Sequence, residues 1–339
     1  MQLLVHDRGD GGLARRMQLI AGCTGWAYRR TPRRGSALRE GAVTRRRLTR
    51  SGPPASFGGV PMDTRRFVAA AVQLCSGSSK AENLDKVETL VATAAAHGAR
   101  LIVLPEVCLW RGPRPEERSA AEPIPGPSTE RLGALARRLQ VYLVGGSILE
   151  VSDGPRVYNT SVLFDPRGDL VASYRKLHLF DVDIAGHVSI RESDTRAPGE
   201  AVVTAVTPLG TLGMTVCYDL RFPELYRRLT FAGAEIITIP SAFTFSTGAA
   251  HWELLVRARA VENQVYVIAA DQIGRSPTGM VDFGHSMIVD PWGTVIARAP
   301  DREAVIVAEI DRDYQDRVRR ELPCLSHVRS FLVGPRDGG

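Results

Sequence analysis

Several segments of this chain are apolar along nearly their whole length, and segments with helical spacing lie between them. Residues 99–104, 141–145, 212–216 and 265–270 show no alternation of apolar and polar positions. A strand with one face in water alternates, so strands like these belong to a sheet covered on both faces. Residues 81–96 carry Leu84, Val87, Leu90, Val91 and Ala94, the spacing of one helix face. Residues 129–138, 223–232 and 251–262 read as further helices. Residues 158–164 and 170–174 flank the turn Asp165-Pro166-Arg167-Gly168-Asp169, and Asp290-Pro291-Trp292-Gly293 separates strands at 286–289 and 295–298. Strands are also expected at 67–73, 235–239 and 304–309. Strand–helix alternation combined with hairpins implies an α/β fold with mixed sheets. No internal repeat or linker interrupts residues 62–333, which read as one catalytic domain followed by a tail at 334–339.

Charge sets the first segment apart. Residues 1–61 hold twelve arginines, no lysine and three acidic residues, hence +9, while the whole chain is +6. The remaining residues therefore carry −3, and the high isoelectric point belongs to the first segment alone. That segment is rich in Gly, Arg and Ala and lacks periodicity. It reads as a disordered extension, or as upstream sequence included by a wrong choice of start. An organelle transit peptide is the second reading and a nucleic-acid arm the third; no aromatic interleaving supports base stacking. No apolar run approaches the roughly 18–20 residues that span a bilayer, so a membrane is not an expected partner; without aromatic interleaving, neither is a nucleic acid. Cys23, Cys75, Cys108, Cys217 and Cys324 are odd in number and widely spaced, which argues against a disulfide framework and a cysteine-rich zinc site. A reducing, cytoplasmic setting follows.

One cysteine stands in a reactive context. The apolar run 212–216 ends on Cys217, and Pro223 then opens a helix as its first residue. A cysteine at such a turn is reachable from a sheet edge, and a nearby helix start favours the thiolate, the nucleophilic form. The competing reading is a buried structural thiol, since free cysteine is among the most buried residue types. Two other segments decide between them. Leu101-Ile102-Val103-Leu104-Pro105-Glu106 places a carboxylate just past an apolar strand, and Tyr174-Arg175-Lys176-Leu177-His178 places a lysine past another. Either charge alone reads as a solvated loop residue. Three such groups at matching strand ends read as a nucleophile with a base and a charge stabiliser, because open α/β sheets gather their sites there.

These motifs resemble the nitrilase superfamily, the carbon–nitrogen hydrolases with a Glu–Lys–Cys triad. Glu106 in LPEVCL, Lys176 in YRKLHLFD and Cys217 in TVCYDLRFPEL match in order and surroundings, and Glu192 in IRESDTRAPGE fits the family's second glutamate. The similarity runs from about residue 66 to 333. Within the superfamily the amidase branch with deaminated-glutathione amidase and omega-amidase is most similar. PSAF, RES and GHSMIVDPWG lean toward the former, KLHLFDVDI toward the latter. The resemblance implies an αββα sandwich of two mixed sheets and a homo-oligomer, dimer or larger.

The chemistry it implies needs no metal or organic cofactor. Glu106 acts as general base, Cys217 attacks a small carboxylate-bearing amide, and a thioester forms and is hydrolysed. Lys176 and the backbone N–H of Tyr218 stabilise the oxyanion, and Glu192 positions Lys176 or the bound amide. N-carbamoyl amino-acid hydrolysis is a further enzymatic alternative. A catalytically silent interaction module is the non-enzymatic one, which the intact Glu106, Lys176 and Cys217 oppose. For substrate binding, Arg221 pairs either with a substrate carboxylate or with a neighbouring acid, and Thr247 lines the pocket from a loop at 241–250. Cys108 packs near the site, Cys75 and Cys324 are core or near-surface thiols, and His178, His187, His251 and His285 lack metal-ligand spacing. His187 is expected near the pocket mouth.

Overall fold

The computed structural model describes residues 43–46, 63–186, 188–329 and 331. His187, Cys23 and most of the Arg-rich segment 1–61 lie outside the described residues.

Two seven-stranded sheets form the frame. The first runs in the order Ala304–Asp311, Arg66–Gln73, Ala99–Val103, Tyr142–Glu150, Val157–Phe164, Leu170–Arg175, with the short Arg196–Ala197 beside Val157. Its Arg66–Gln73, Ala99–Val103 and Tyr142–Glu150 strands are parallel, and the remaining neighbours along that order are antiparallel. The second sheet orders Val43–Arg46, Val202–Thr207, Gly210–Met214, Ile236–Ser241, Tyr266–Asp271, Met287–Val289, Val295–Arg298. Here Gly210–Met214, Ile236–Ser241 and Tyr266–Asp271 are parallel. Val43–Arg46 falls inside the segment read as an extension, and its backbone pairs in parallel with Val202–Ala205.

The two faces of the first sheet pack differently, and period-2 alternation assigns each residue. Phe67, Ala69, Ala71, Leu101 and Val103 join a core with Leu212, Met214, Ile236 and Ile268 of the second sheet. Their neighbours Ala70, Val72, Ile102 and Leu104 turn outward onto Leu84, Val87, Leu132 and Leu135. Those last four lie on the helices Lys80–Ala96 and Pro127–Leu139. The helices Pro223–Phe231 and Phe245–Asn263 contribute Leu225, Leu229, Trp252 and Val256 to the core of the second sheet. The architecture is the expected αββα sandwich.

Some boundaries and elements differ from the sequence reading. The helix expected at 251–262 begins at Phe245, with Thr244 at its N-cap; its first turns hold Ser246, Thr247 and Gly248, poor helix formers that imitate a loop. The strand expected to end on Cys217 stops at Met214. The hairpin Asp181–Ile184 with Val188–Arg191, and the helix Arg312–Glu321, escaped the apolar-run criterion because the hairpin strands alternate over only four residues and the helix is largely polar.

Candidate active site

Parallel strands from the two sheets end at one place. Glu106 follows Ala99–Val103 of the first sheet, and Ser241 ends Ile236–Ser241 of the second. The Glu106 amide donates to the Ser241 carbonyl at 3.2 Å. Gln272, fully buried, locks the join: its side chain donates to the Glu106 carbonyl at 2.9 Å and its amide to the Ser241 carbonyl at 3.1 Å. Behind Glu106 the adjacent strand bulges between Val144 and Ser147. Gly146 sits there at φ +63°, where a Cβ would collide with the Pro105 carbonyl. Glycine thus lets the Glu106 loop close on the sheet.

Lys176 is 2% exposed and lies between two carboxylates. Its Nζ donates to Glu106 Oε1 and to Glu192 Oε2, each at 2.9 Å. Asn159 also donates to Glu106 Oε1, at 2.7 Å. The alternation of charge continues outward: Arg196 donates to Glu192 Oε1 at 2.7 Å and to Glu117 Oε1 at 2.7 Å. Burial alone would depress Lys176, but Glu106 and Glu192 outweigh it and hold the ammonium above its ordinary value. Burial likewise opposes ionisation of Glu192, and there Lys176 and Arg196 prevail and hold the carboxyl below the usual range. A buried chain of alternating charges is stable only when each charge is paired in this way.

Cys217 opens a five-residue 3₁₀ turn, Cys217–Arg221, at φ +48°. A left-handed backbone at a non-glycine residue costs on the order of 1–3 kcal/mol and marks functional sites. Val107, next to Glu106, adopts φ +45° as well. Asp219 fastens the turn to the lysine segment. Its Oδ2 accepts from the Val216 amide at 2.9 Å and the Tyr174 hydroxyl at 2.7 Å, and its Oδ1 accepts from the His178 amide at 3.1 Å. The His178 ring, with Nδ1 2.7 Å from the same oxygen, stacks on Phe222.

The thiol does not behave as its position in the sequence suggested. Burial and the Glu106 carboxylate push Cys217 well above its ordinary value, and Lys176 and the Ala242 amide offset only part of this. The helix Pro223–Phe231 starts six residues later, so its dipole does not dominate. Cys217 therefore rests as a thiol, and it shares the cavity wall with Glu106.

A cavity of about 410 Å³ opens onto this cluster. Glu106, Lys176, Glu192, Cys217, Tyr218 and Thr247 all line it. Thr247 does so from the first turn of a helix instead of a loop, with its Oγ1 2.8 Å from that of Thr244. Arg221 does not line it. Its guanidinium lies 5.3 Å from the Phe243 ring centre and 3.3 Å from His251 Nδ1. At three residues per turn, positions four apart on a 3₁₀ turn point about 120° apart, which turns Arg221 away from the Cys217 side. Cys108 is buried beyond the cavity wall, with its sulfur 3.6 Å from the Gly145 carbonyl. Among the described residues no cluster of His, Cys, Asp and Glu has the form of a metal site.

The carbon-nitrogen hydrolase family profile matches residues 68–320. The chain belongs to the carbon–nitrogen hydrolase family. Omega-amidase NIT2 of Danio rerio is 42% identical over 267 residues, 79% of this chain and 96% of that protein. The deaminated glutathione amidase of Bos taurus is 41% identical over 294 residues, covering 85% and 88% of the two chains. The crystal structure of the C. elegans NitFhit protein superposes with a TM-score of 0.75 at 38% identity, over 80% of this chain and 67% of that one. This carbon–nitrogen hydrolase is therefore an enzyme acting on carbon–nitrogen bonds other than peptide bonds, and the amidase class read from its motifs agrees with its relatives.

Sequence reasoning passed over Asn159, Arg196, Glu117, Asp219 and Gln272. Arg196 stood four residues beyond Glu192, and Asp219 two beyond Cys217, but their roles depend on partners distant in sequence.

Proposed function

We propose that the enzyme hydrolyses a small amide carrying a carboxylate away from the scissile bond, through a thioester on Cys217 and without a cofactor. The observation that carries this reading is the buried Lys176 held between Glu106 and Glu192 at the wall of the cavity that also receives Cys217.

Glu106 takes the thiol proton as Cys217 Sγ attacks the amide carbon. The oxyanion is met by the Lys176 ammonium and the Tyr218 N–H. The carbon–nitrogen bond breaks, and the proton on Glu106 passes to the departing ammonia. Water, deprotonated by Glu106, then adds to the thioester carbon. The carbon–sulfur bond breaks, the acid leaves and the thiol returns. Glu192 and Arg196 keep Lys176 charged and aimed throughout. The raised thiol supports this order of events, because a thiol that needs a base is the counterpart of a base within reach. Four free cysteines among the described residues support a reducing, cytoplasmic setting.

Deaminated glutathione is the favoured substrate, on the PSAF, RES and GHSMIVDPWG segments. The 42% identity to an omega-amidase over nearly its whole length supports α-keto acid amides as the second reading. Ammonia release would be measured from deaminated glutathione, α-ketoglutaramate, α-ketosuccinamate, N-carbamoyl amino acids and simple nitriles. The expected order places deaminated glutathione first in kcat/KM. A lead for α-ketoglutaramate selects the second reading, and silence across the panel overturns both.

A further inference from the structure

Four cationic side chains line the cavity: Arg111, Arg114, Lys176 and Arg196. Three are committed to buried acids. Arg111 reaches both carboxylate oxygens of Asp282. Lys176 serves Glu106 and Glu192, and Arg196 serves Glu192 and Glu117. Arg114 differs. Among the described residues no carboxylate lies within ion-pair distance of it, and its Nη1 donates to the Arg191 backbone carbonyl at 3.0 Å. That bond occupies one of five N–H donors. Its charge does reach Glu117, where it adds to the larger effect of Arg196.

We infer that Arg114 receives the substrate's own carboxylate and thereby sets a preference for acidic over neutral amides. The inference rests on the amidase reading above. Three observations converge on this residue. A carboxylate arriving at Arg111 or Arg196 would compete with Asp282, Glu117 or Glu192 for a guanidinium already neutralised in a buried pair, whereas Arg114 has no acid partner to share among the described residues. Its guanidinium fork matches a carboxylate in two parallel hydrogen bonds. It is also half-buried at the start of the turn Arg114–Glu116, where such a pair is screened less than on an open surface. Arg221, the residue the sequence offered for this task, is outside the cavity lining.

The test compares a matched pair of substrates: an amide ending in a free carboxylate and the methyl ester of the same molecule. Wild type is expected to favour the acid by about tenfold to a hundredfold in kcat/KM, the usual scale for a hydrogen bond to a charged group. In Arg114→Gln that ratio collapses through a higher KM for the acid, and Arg114→Lys keeps part of it because an ammonium supplies charge without the fork. A wild-type ratio that survives in Arg114→Gln overturns the inference while leaving the amidase reading intact. Equal use of acid and ester by wild type removes the carboxylate from both. Intact-mass detection of an acyl group on Cys217 with either amide tests the amidase reading separately.

Discussion

Cys108 and Cys217 invite comparison. Each follows a parallel strand, each is free, and each is buried, at 0% and 7% exposure. Burial pushes both thiols up, Cys108 to about 12. What separates them is company. Cys108 sees apolar side chains and the Gly145 carbonyl. Cys217 sees a carboxylate, an ammonium, the Ala242 amide and an opening to a cavity. Burial makes a thiol inert in the first setting, while in the second the base that removes its proton is buried with it. Reactivity therefore follows from titratable neighbours and access more than from the depth of the sulfur.

The largest effect tests that contrast directly. Cys217→Ala is expected to lower amide turnover by roughly 10⁴-fold or more, the scale of losing a covalent nucleophile. Cys108→Ala should turn over at the wild-type rate and lose only about 1 kcal/mol of stability. Intact-mass analysis during turnover should find an acyl adduct whenever Cys217 is present. An adduct that disappears in Cys108→Ala would reverse the assignment.

Next in size is Glu106→Gln, expected to cost about 10²–10⁴-fold in turnover as general base. Its second readout has the opposite sign. The Glu106 carboxylate raises the Cys217 thiol both as a neighbouring charge and as an acceptor of its proton. Removing it moves the midpoint of Cys217 alkylation by iodoacetamide to lower pH, so the thiol becomes easier to ionise as the enzyme dies. A midpoint that rises instead would mean that the two groups do not face each other in solution.

Much of this was legible in the chain, and the limits have physical causes. The covered strands, the sandwich and the alignment of Glu106, Lys176 and Cys217 at strand ends follow from local apolar runs and the residues after them. The Cys217 ionisation was misread because a nearby helix start is visible in sequence, while the burial and facing carboxylate that outweigh it are not. The sequence left two roles open for Arg221, and its position outside the cavity lining depends on a 3₁₀ turn that spacing does not announce. Asn159 and the Arg196–Glu117 pair were passed over because a buried hydrogen-bond or ion-pair partner is chosen by the fold across dozens of residues.

Asp219 gives an intermediate effect. It touches neither reacting group, yet it joins the Cys217 turn to the Lys176 segment through Val216, Tyr174 and His178. In Asp219→Asn an amide nitrogen must face donors on one side, which loosens the join. A displacement near 1 Å costs about a hundredfold, so kcat should fall by about tenfold to a hundredfold with KM near wild type. An unshifted pH optimum would identify the loss as geometric. A variant with wild-type kcat would show that the two segments hold their register without this clasp.

The smallest effect concerns acid stability, and it again separates the two thiol sites. Lys176 and Arg196 hold Glu192 below its ordinary range against the opposing effect of burial. A depressed carboxyl contributes stability that is complete above its unfolded value near 4.3 and is lost as pH falls toward the folded value. Glu192→Gln should therefore be less stable than wild type at pH 7, and the gap should narrow by about 1–2 kcal/mol on acidification below pH 4.5. Cys108→Ala should keep the wild-type slope, because no carboxylate is bonded to that thiol. Urea melts from pH 7 to pH 3 measure both. A gap that widens toward acid would mean that Glu192 carries its proton in the native state, and the alternating charges around Lys176 would then have to be redrawn.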